Sequence, residues 1–199
     1  MPDLVVLGFD TSAAHCAAAL LCGDRLLTLR HEEMGTGQAE RLFPMLEEML
    51  GEAGLGWSDI AVIGVGTGPG NFTGIRVAVA AARGLALALG VPAVGVTATE
   101  AAAFGLPRPC RVAIGARRDQ VIWQDFGTSE PQAGGRPQQA AAGALPPGPA
   151  PAAPAVPLAE AIARLALERR EAPGPRPAPV YLRPADAAPA RHGAPVILP

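Results

Sequence analysis

Two short polar stretches, each placed directly after an apolar run, hold the residues whose types and spacing could do chemistry. Asp10, Thr11 and Ser12 follow residues 4–9, and residues 66–76 read GTGPGNFTGIR. A carboxylate at the end of a buried strand can face nucleotide phosphates through a metal ion. Glycines that precede a helix let backbone N–H groups point at an anion. The two stretches are therefore candidates for a nucleotide-phosphate site.

The glycine-rich stretch has two interpretations. In the first, Gly68, Gly70 and Thr73 face a phosphate, and Arg76 pairs with it from one turn into the following helix. In the second, the glycines only allow a tight strand-to-helix turn with close backbone packing, and the arginine pairs with an acid. The spacing matches neither G-x-G-x-x-G nor G-x-x-x-x-G-K-[ST]. Asp10 also has a second interpretation, in which it faces no phosphate and only caps a turn.

Other catalytic chemistries find little support. All 16 basic residues are arginine, which excludes lysine Schiff bases, a P-loop lysine and lysine general bases. The three histidines are far apart in sequence and form no metal-binding pattern: His15, His31 and His192. A serine–histidine–aspartate set could be assembled on paper from Ser12, His31 and Asp59, but no G-x-S-x-G elbow accompanies it. We expect no metal site.

The composition indicates a folded protein of the cytoplasm. The 199 residues allow one domain or two small lobes, and 49% of them are hydrophobic. Three cysteines without a C-x-x-C pair indicate a reducing compartment. The first ten residues lack the basic region of a signal peptide. Because Arg83 and Gly84 interrupt the apolar run 77–91, we expect no membrane span.

The elements before residue 105 predict the lobe that would position the two stretches. Residues 4–10 are a buried strand, and a turn at 22–24 joins two further strands in a hairpin. A helix over 39–53 must begin near Glu40, so that Pro44 stays in its first turn. Strands starting at residues 60 and 92 alternate with helices at 73–89 and 99–105, the last capped by Thr97 or Thr99. The order β-β-β-α-β-α-β-α predicts an α/β lobe of the ribonuclease-H-like or actin-like kind.

The second half predicts a reduced lobe. A hairpin is expected from strands at 111–115 and 120–126, and residues 127–157, rich in proline, alanine and glycine, are expected to form a long irregular loop. One amphipathic helix follows, with an apolar face made by Leu158, Ile162, Leu165 and Ala166. We therefore expect two lobes, residues 1–105 and residues 106–199.

The two long helices of the first lobe are the most apolar segments. The helix over 39–53 has an apolar face at helical spacing that includes Leu42, Leu46, Met49 and Leu50. The helix over 73–89 is apolar almost all round and rich in alanine. Such a helix is expected to be buried, and its small residues would let another helix approach closely.

Four segments together resemble the TsaB (YeaZ) family: LGFDTS, GTGPGNFTGIR, VAIGARRDQVIW and PVYLRPADA. The resemblance implies a two-lobed actin-like ATPase (ASKHA) fold and a non-catalytic paralogue of TsaD. It implies a complex with TsaD and the ATPase TsaE that threonylcarbamoylates the adenosine next to the anticodon of tRNA. The tRNA would be reached through that complex, and no membrane would be involved.

The resemblance also implies where the partner binds. TsaB-like proteins pair with TsaD through the two first-lobe helices, and they self-associate through the same helices when TsaD is absent. The interface residues would then be Leu42, Leu46, Met49, Leu50, Val77, Ala78, Ala81, Ala82 and Leu85. The chain would have no cofactor of its own, and ATP or ADP would sit at the interface with TsaD.

Three departures from the family pattern count against nucleotide binding by the chain alone, one of them a second lobe that is shorter and richer in proline than the family's. The family's His-Ser-Glu segment is replaced by Gln38-Ala39-Glu40, and its Asp-Ala-Arg segment by Gly115-Ala116-Arg117. The second change removes a carboxylate from the cleft side of the second lobe. An ATP-dependent kinase of the actin-like type and a metallopeptidase are the alternatives to an accessory subunit.

Overall fold

The computed structural model describes residues 3–116, 118–128 and 135–182. Arg117, and the part of PVYLRPADA from residue 183 onward, lie outside the described residues. The chain begins with β1 (Val5–Asp10), β2 (His15–Cys22) and β3 (Arg25–Glu33), followed by α1 (Gln38–Glu52), β4 (Ile60–Gly66), α2 (Phe72–Leu89), β5 (Ala93–Val96) and α3 (Ala98–Ala103). The predicted order β-β-β-α-β-α-β-α is confirmed.

These strands form one five-stranded sheet in the order β3-β2-β1-β4-β5. The first three strands make an antiparallel meander, and β4 and β5 run parallel to β1. Helices cover both faces, so the central strand β1 is buried along its whole length. This is the ribonuclease-H-like core of the actin-like ATPase fold, as the sequence predicts.

Alternate side chains of β1 belong to two separate hydrophobic cores. Leu7 and Phe9 point to the side covered by α1 and α2. Val6 points to the opposite side, where it packs with the last helix, α4 (Leu158–Glu168). The two-residue period of the strand therefore divides the hydrophobic residues between two helical layers.

Helix α4 packs on the first sheet, against β1, β2 and β4, although it follows residue 106 in the sequence. Gly8 and Gly64 make this approach possible, since a Cβ at Gly8 would overlap Ala163 and one at Gly64 would overlap Ile162 and Ala166. The apolar face predicted for this helix is confirmed, with Ile162, Leu165 and Ala166 buried. A helix assigned by sequence order to the second lobe thus completes the core of the first.

The second sheet contains β6 (Cys110–Ala116), β7 (Gln120–Phe126) and β8 (Gln138–Ala141), all antiparallel. The hairpin of β6 and β7 is confirmed. The prediction of an irregular loop over 127–157 missed β8, because this strand has no alternating apolar pattern and is defined by its pairing with β7.

Two predictions about the first-lobe helices are wrong. Helix α1 begins at Gln38, so Pro44 lies beyond its first turn. The missing N–H removes a single intrahelical hydrogen bond, and burial of Leu42, Met45 and Leu46 holds the helix on the sheet.

The second error concerns α2, which is not buried all round, because within the described residues no layer covers its outer side. Its buried residues are Gly74, Ile75, Ala78, Val79 and Ala82. By length and mean hydropathy, 1.5, this helix could also cross a membrane, a test that core helices of folded domains pass as well. Here one face of α2 packs on β4.

Candidate functional site

Asp10 is buried at the carboxyl end of β1 and its carboxylate is already occupied. Its side chain is 1% exposed, and Oδ2 accepts hydrogen bonds from the N–H and Oγ of Ser12, both at 2.9 Å. Nε2 of His15 lies 2.7 Å from the same oxygen. A Cβ at Gly66 would overlap the carboxylate, so Asp10 packs against the end of β4. The sequence predicted this residue as phosphate-facing, but the structure turns it toward its own neighbours.

Thr11 fixes the start of α2. Its buried Oγ1 donates to the carbonyl of Gly74 at 2.7 Å. A Cβ at Gly74 would overlap the carbonyl oxygen of Thr11, and one at Gly70 would overlap that of Ser12. The loop after β4 therefore lies directly on the backbone of residues 11–12. Because the strand ends of β1 and β4 are neighbours in the sheet, the two polar stretches meet as the sequence suggests.

The glycine-rich loop is closed by its own hydrogen bonds. Asn71 caps α2, since its Oδ1 accepts from the N–H of Thr73 at 3.0 Å and of Gly74 at 3.3 Å. Gly68 has a φ of 85°, a conformation that favours glycine, and its carbonyl accepts from Ala98 N at 2.8 Å. Of the two interpretations, these contacts favour the tight turn with close backbone packing, because the amides of Thr73 and Gly74 already have an acceptor.

Arg76 lies in an aromatic cluster on the outside of the loop. Its guanidinium stacks on the Phe72 ring, 3.6 Å from the centroid, and its Nε donates to the Tyr181 hydroxyl at 2.9 Å. The two rings are 5.1 Å apart. The segment that carries Tyr181 runs beside the loop, where Val180 N donates to the carbonyl of Thr67. Arg76 is thus engaged within the chain by Phe72 and Tyr181.

A cleft of about 1170 Å³ opens between the two sheets. Ser12, Gly70 and Asn71 border it from the first lobe, and Gly115 and Arg118 border it from the β6–β7 hairpin. The other predicted phosphate-facing residues are not part of its lining: Asp10, Thr11, Gly68, Thr73 and Arg76. The structure therefore brings the predicted set together in space but directs only two of its members, Ser12 and Gly70, into the cleft.

Within the described residues, no three side chains of the metal-ligand types are grouped to hold an ion. The rings of His15 and His31 are 4.9 Å apart, but His15 is tied to Asp10. Burial raises the pKa of the neighbouring Cys16 thiol to about 11, so the thiol is protonated at neutral pH and a poor ligand. The potential donors among the described residues therefore do not form a metal-binding group.

The serine–histidine–aspartate set of Ser12, His31 and Asp59 is likewise not assembled. Asp59 accepts from Gly56 N at 2.8 Å at the start of a short 3-10 turn, and Ser12 donates to Asp10 instead of a histidine.

The partner-interface residues named from the sequence need correction. Six of them lie in the core of the chain, each 2% exposed or less: Leu42, Leu46, Met49, Leu50, Ala78 and Ala82. The remaining three are half-buried and pack on the same core: Val77, Ala81 and Leu85. Helical periodicity identifies the side of a helix that packs on its own sheet. The opposite side of each helix faces away from this core.

From residue 80 onward, that opposite side of α2 is exposed and, apart from Arg83, small or apolar. We call it the α2 face, and it consists of Ala80, Gly84, Leu87 and Ala88. Leu87 is 83% exposed, and a Cβ at Gly84 would meet nothing within 4 Å. Phe43 on α1 is 41% exposed and packs against Trp57, with ring centroids 6.3 Å apart.

Three further residues of the site were missed from the sequence: His15, Asn71 and Tyr181. Asn71 had a readable signal, because an asparagine directly before a helix is a favoured N-cap. His15 and Tyr181 had none, since their partners are fixed by the fold.

Comparison with known proteins agrees with this geometry. Residues 32–151 match the family model described as TsaD, tRNA N6-adenosine threonylcarbamoyltransferase. The chain is 36% identical over 128 residues to the tRNA threonylcarbamoyladenosine biosynthesis protein TsaB of Haemophilus influenzae, covering 62% of this chain and 54% of the relative. It is 33% identical over 130 residues to TsaB of Escherichia coli, covering 63% and 56% respectively. The match spans about half the length of these two relatives.

Solved structures extend the likeness over nearly the whole chain. YeaZ from Pseudomonas aeruginosa has a TM-score of 0.68 at 29% identity, and the match covers 90% of this chain and 100% of that one. The two proteins therefore share both lobes. The protein belongs to the TsaB (YeaZ) family of tRNA threonylcarbamoyladenosine biosynthesis, within the group that the TsaD model describes, and it has the actin-like ATPase fold of that family.

Proposed function

We propose that this protein is a non-catalytic accessory subunit that binds TsaD and, with TsaE, supports threonylcarbamoylation of the adenosine next to the anticodon in tRNA. Family membership supplies the pathway. The observation that carries the binding role is the α2 face, where Leu87 is 83% exposed in an otherwise folded lobe. One exposed leucine is ordinary by itself, but a continuous stripe of exposed small and apolar residues on a long helix is typical of a surface that another helix covers.

The α2 face suits a helix as its partner. Its members recur at i, i+4, i+7 and i+8, so they form one stripe along the helix. Small residues at Ala80 and Gly84 leave room for the backbone of a second helix, and Leu87 supplies the apolar anchor. We infer that α2 packs against a helix of TsaD, and that two copies of this chain pair through the same face when TsaD is absent.

An accessory role without chemistry of its own fits the site. The carboxylate of Asp10 and the amides of Thr73 and Gly74 are engaged within the chain. We propose that the chain uses no cofactor of its own, that ATP or ADP binds at the interface with TsaD, and that the protein works in the cytoplasm. An actin-like kinase would instead bind ATP tightly by itself and turn it over.

Substitution of Leu87 tests the interface. Leu87→Arg places a charge on the α2 face, and we expect the dissociation constant for TsaD, measured by calorimetry, to rise by at least about tenfold. The matched control is Leu29→Arg, because Leu29 is also exposed, at 37%, but lies on the edge strand β3. Wild-type affinity for Leu87→Arg, with circular dichroism showing an intact fold, would overturn the assignment of this face.

Reconstitution tests the role itself. TsaD, TsaE, ATP, threonylcarbamoyl-AMP and tRNA are combined with and without this chain, and modified adenosine is measured. We expect modification only when the chain is present, and none from the chain without TsaD. Unchanged modification after its omission would refute the accessory role, and ATP turnover by the chain alone would favour the kinase.

A further inference from the structure

The cleft between the lobes is built for a different ligand from a magnesium nucleotide. Its volume of about 1170 Å³ holds a small molecule of ordinary ligand size. Its walls are mainly apolar and include Ala98, Ala101, Ala102, Ile114, Ile122 and Leu158. A lining of this kind favours an apolar ligand body.

The described lining of the cleft carries basic side chains and no acidic ones. Among the lining residues in the described part of the chain, none is acidic, and the basic ones are His15 and Arg118. His15 is held by Asp10, which lies behind the lining. Arg118 is exposed and has a φ of 59°, a conformation that residues other than glycine adopt rarely. Asp119 has a φ of 58° in the same turn, so this conformation belongs to the tight hairpin, which places the arginine at the cleft.

A magnesium nucleotide does not match this arrangement. Magnesium in nucleotide sites is bound through one or two carboxylates, and the described lining offers none, because Gly115 stands where the family pattern has an aspartate. The amides of Thr73 and Gly74 at the start of α2 donate to Asn71 and are not directed at a phosphate.

We propose that this cleft binds a small molecule with an apolar body and a single anionic group, such as an alkyl or aryl carboxylate. The apolar walls take the body, and Arg118 receives the anion through charge-assisted hydrogen bonds. This inference does not rest on the proposed binding of TsaD, since it concerns the cleft and not the α2 face. Failure of one would leave the other standing.

The test is fluorescence titration of the full chain with the aromatic sulfonate 1-anilinonaphthalene-8-sulfonate, followed by displacement with carboxylates. We expect binding to strengthen about fourfold per methylene from butanoate to octanoate, as apolar burial predicts. We expect 1-octanol, which lacks the charge, to bind about tenfold more weakly than octanoate. Equal displacement by octanol and octanoate would overturn the proposal, as would tighter displacement by ATP with magnesium.

Variants of Arg118 locate the anion. Arg118→Glu is expected to weaken octanoate binding at least about tenfold, and Arg118→Lys to retain most of it. Arg118→Gly removes the charge but suits the positive φ, so it keeps the turn and is expected to weaken binding as well. Arg83→Glu, on the exposed side of α2, is the control and should change nothing. Unchanged octanoate affinity in both Arg118→Glu and Arg118→Gly would refute the site.

Discussion

Two glycines of the same helix should respond to alanine in opposite directions. Gly84 lies in the interior of α2, where a Cβ added to it would meet no atom within 4 Å. Gly74 lies in the first turn, where a Cβ would overlap the carbonyl oxygen of Thr11. If the glycine-rich loop exists for backbone packing, Gly84→Ala raises the free energy of unfolding and Gly74→Ala lowers it.

The sizes follow from the contacts. Alanine in a helix interior is favoured over glycine by about 0.5–1 kcal/mol, so Gly84→Ala should gain that amount. Gly74→Ala faces overpacking of about 1–3 kcal/mol. It also displaces the backbone that holds the buried Thr11–Gly74 hydrogen bond, which contributes about 1 kcal/mol. The two variants should therefore differ by about 2.5–5 kcal/mol.

Urea unfolding followed by circular dichroism measures this difference, and thermal melts check it. For a chain of this length, 1 kcal/mol shifts Tm by about 2–4 °C, so the two melting temperatures should lie at least about 5 °C apart. A Gly74→Ala variant as stable as wild type would refute the packing explanation. It would favour the first interpretation of the loop, in which its residues face a phosphate.

Two further predictions concern ion pairs. Arg111 is buried and donates to both oxygens of Asp125, at 2.6 and 2.7 Å, and to the carbonyl of Pro146 at 2.6 Å. Arg111→Met should therefore raise the rate of limited proteolysis within residues 142–157 at least about fivefold. The control Arg136→Met, at an exposed arginine, should leave this rate unchanged. Arg41 holds the pKa values of Glu32 and Glu48 below their ordinary 4.5. Arg41→Met should lower the free energy of unfolding most above pH 4.5, where both carboxylates are ionised in the folded and in the unfolded chain. This loss should shrink as the pH falls through the lower folded-state values, and a loss that stays constant to pH 2 would contradict the prediction.

Local signals account for the parts of the fold that the sequence predicted. Strands β1 to β3 follow from apolar runs, and β2 and β3 are joined at Gly23, which has a φ of 58° in the turn. Helix α3 follows from Thr97, whose Oγ1 accepts from Glu100 N while the Glu100 carboxylate accepts from Thr97 N. Each of these elements is defined by residues within a few positions of one another.

Non-local contacts account for the misses. Nothing in residues 158–168 says which sheet they cover, and the clue lies far away, in the glycines Gly8 and Gly64 of the strands beneath. Tyr181 meets Arg76 across 105 positions. The interface residues failed for a different reason, since an apolar stripe such as Leu42 and Leu46 predicts burial without saying whether the chain or a partner provides it.

The glycine-rich loop and the α2 face are connected by this geometry. Thr11 and Asn71 fix the first turn of α2 against residues 11–12, and Gly70 and Gly74 let the backbones touch. The direction in which α2 leaves the sheet is therefore set at the loop, and that direction determines which residues face outward near Leu87. If α2 is the docking helix, a residue that widens the loop should weaken TsaD binding without touching the partner. The Gly74→Ala variant, measured against TsaD beside Gly84→Ala, separates this positioning role from direct contact. In Gly74→Ala we expect a lower affinity for TsaD together with a lower free energy of unfolding. In Gly84→Ala the fold is expected to be more stable. A lower affinity for TsaD in that variant must therefore arise at the interface itself.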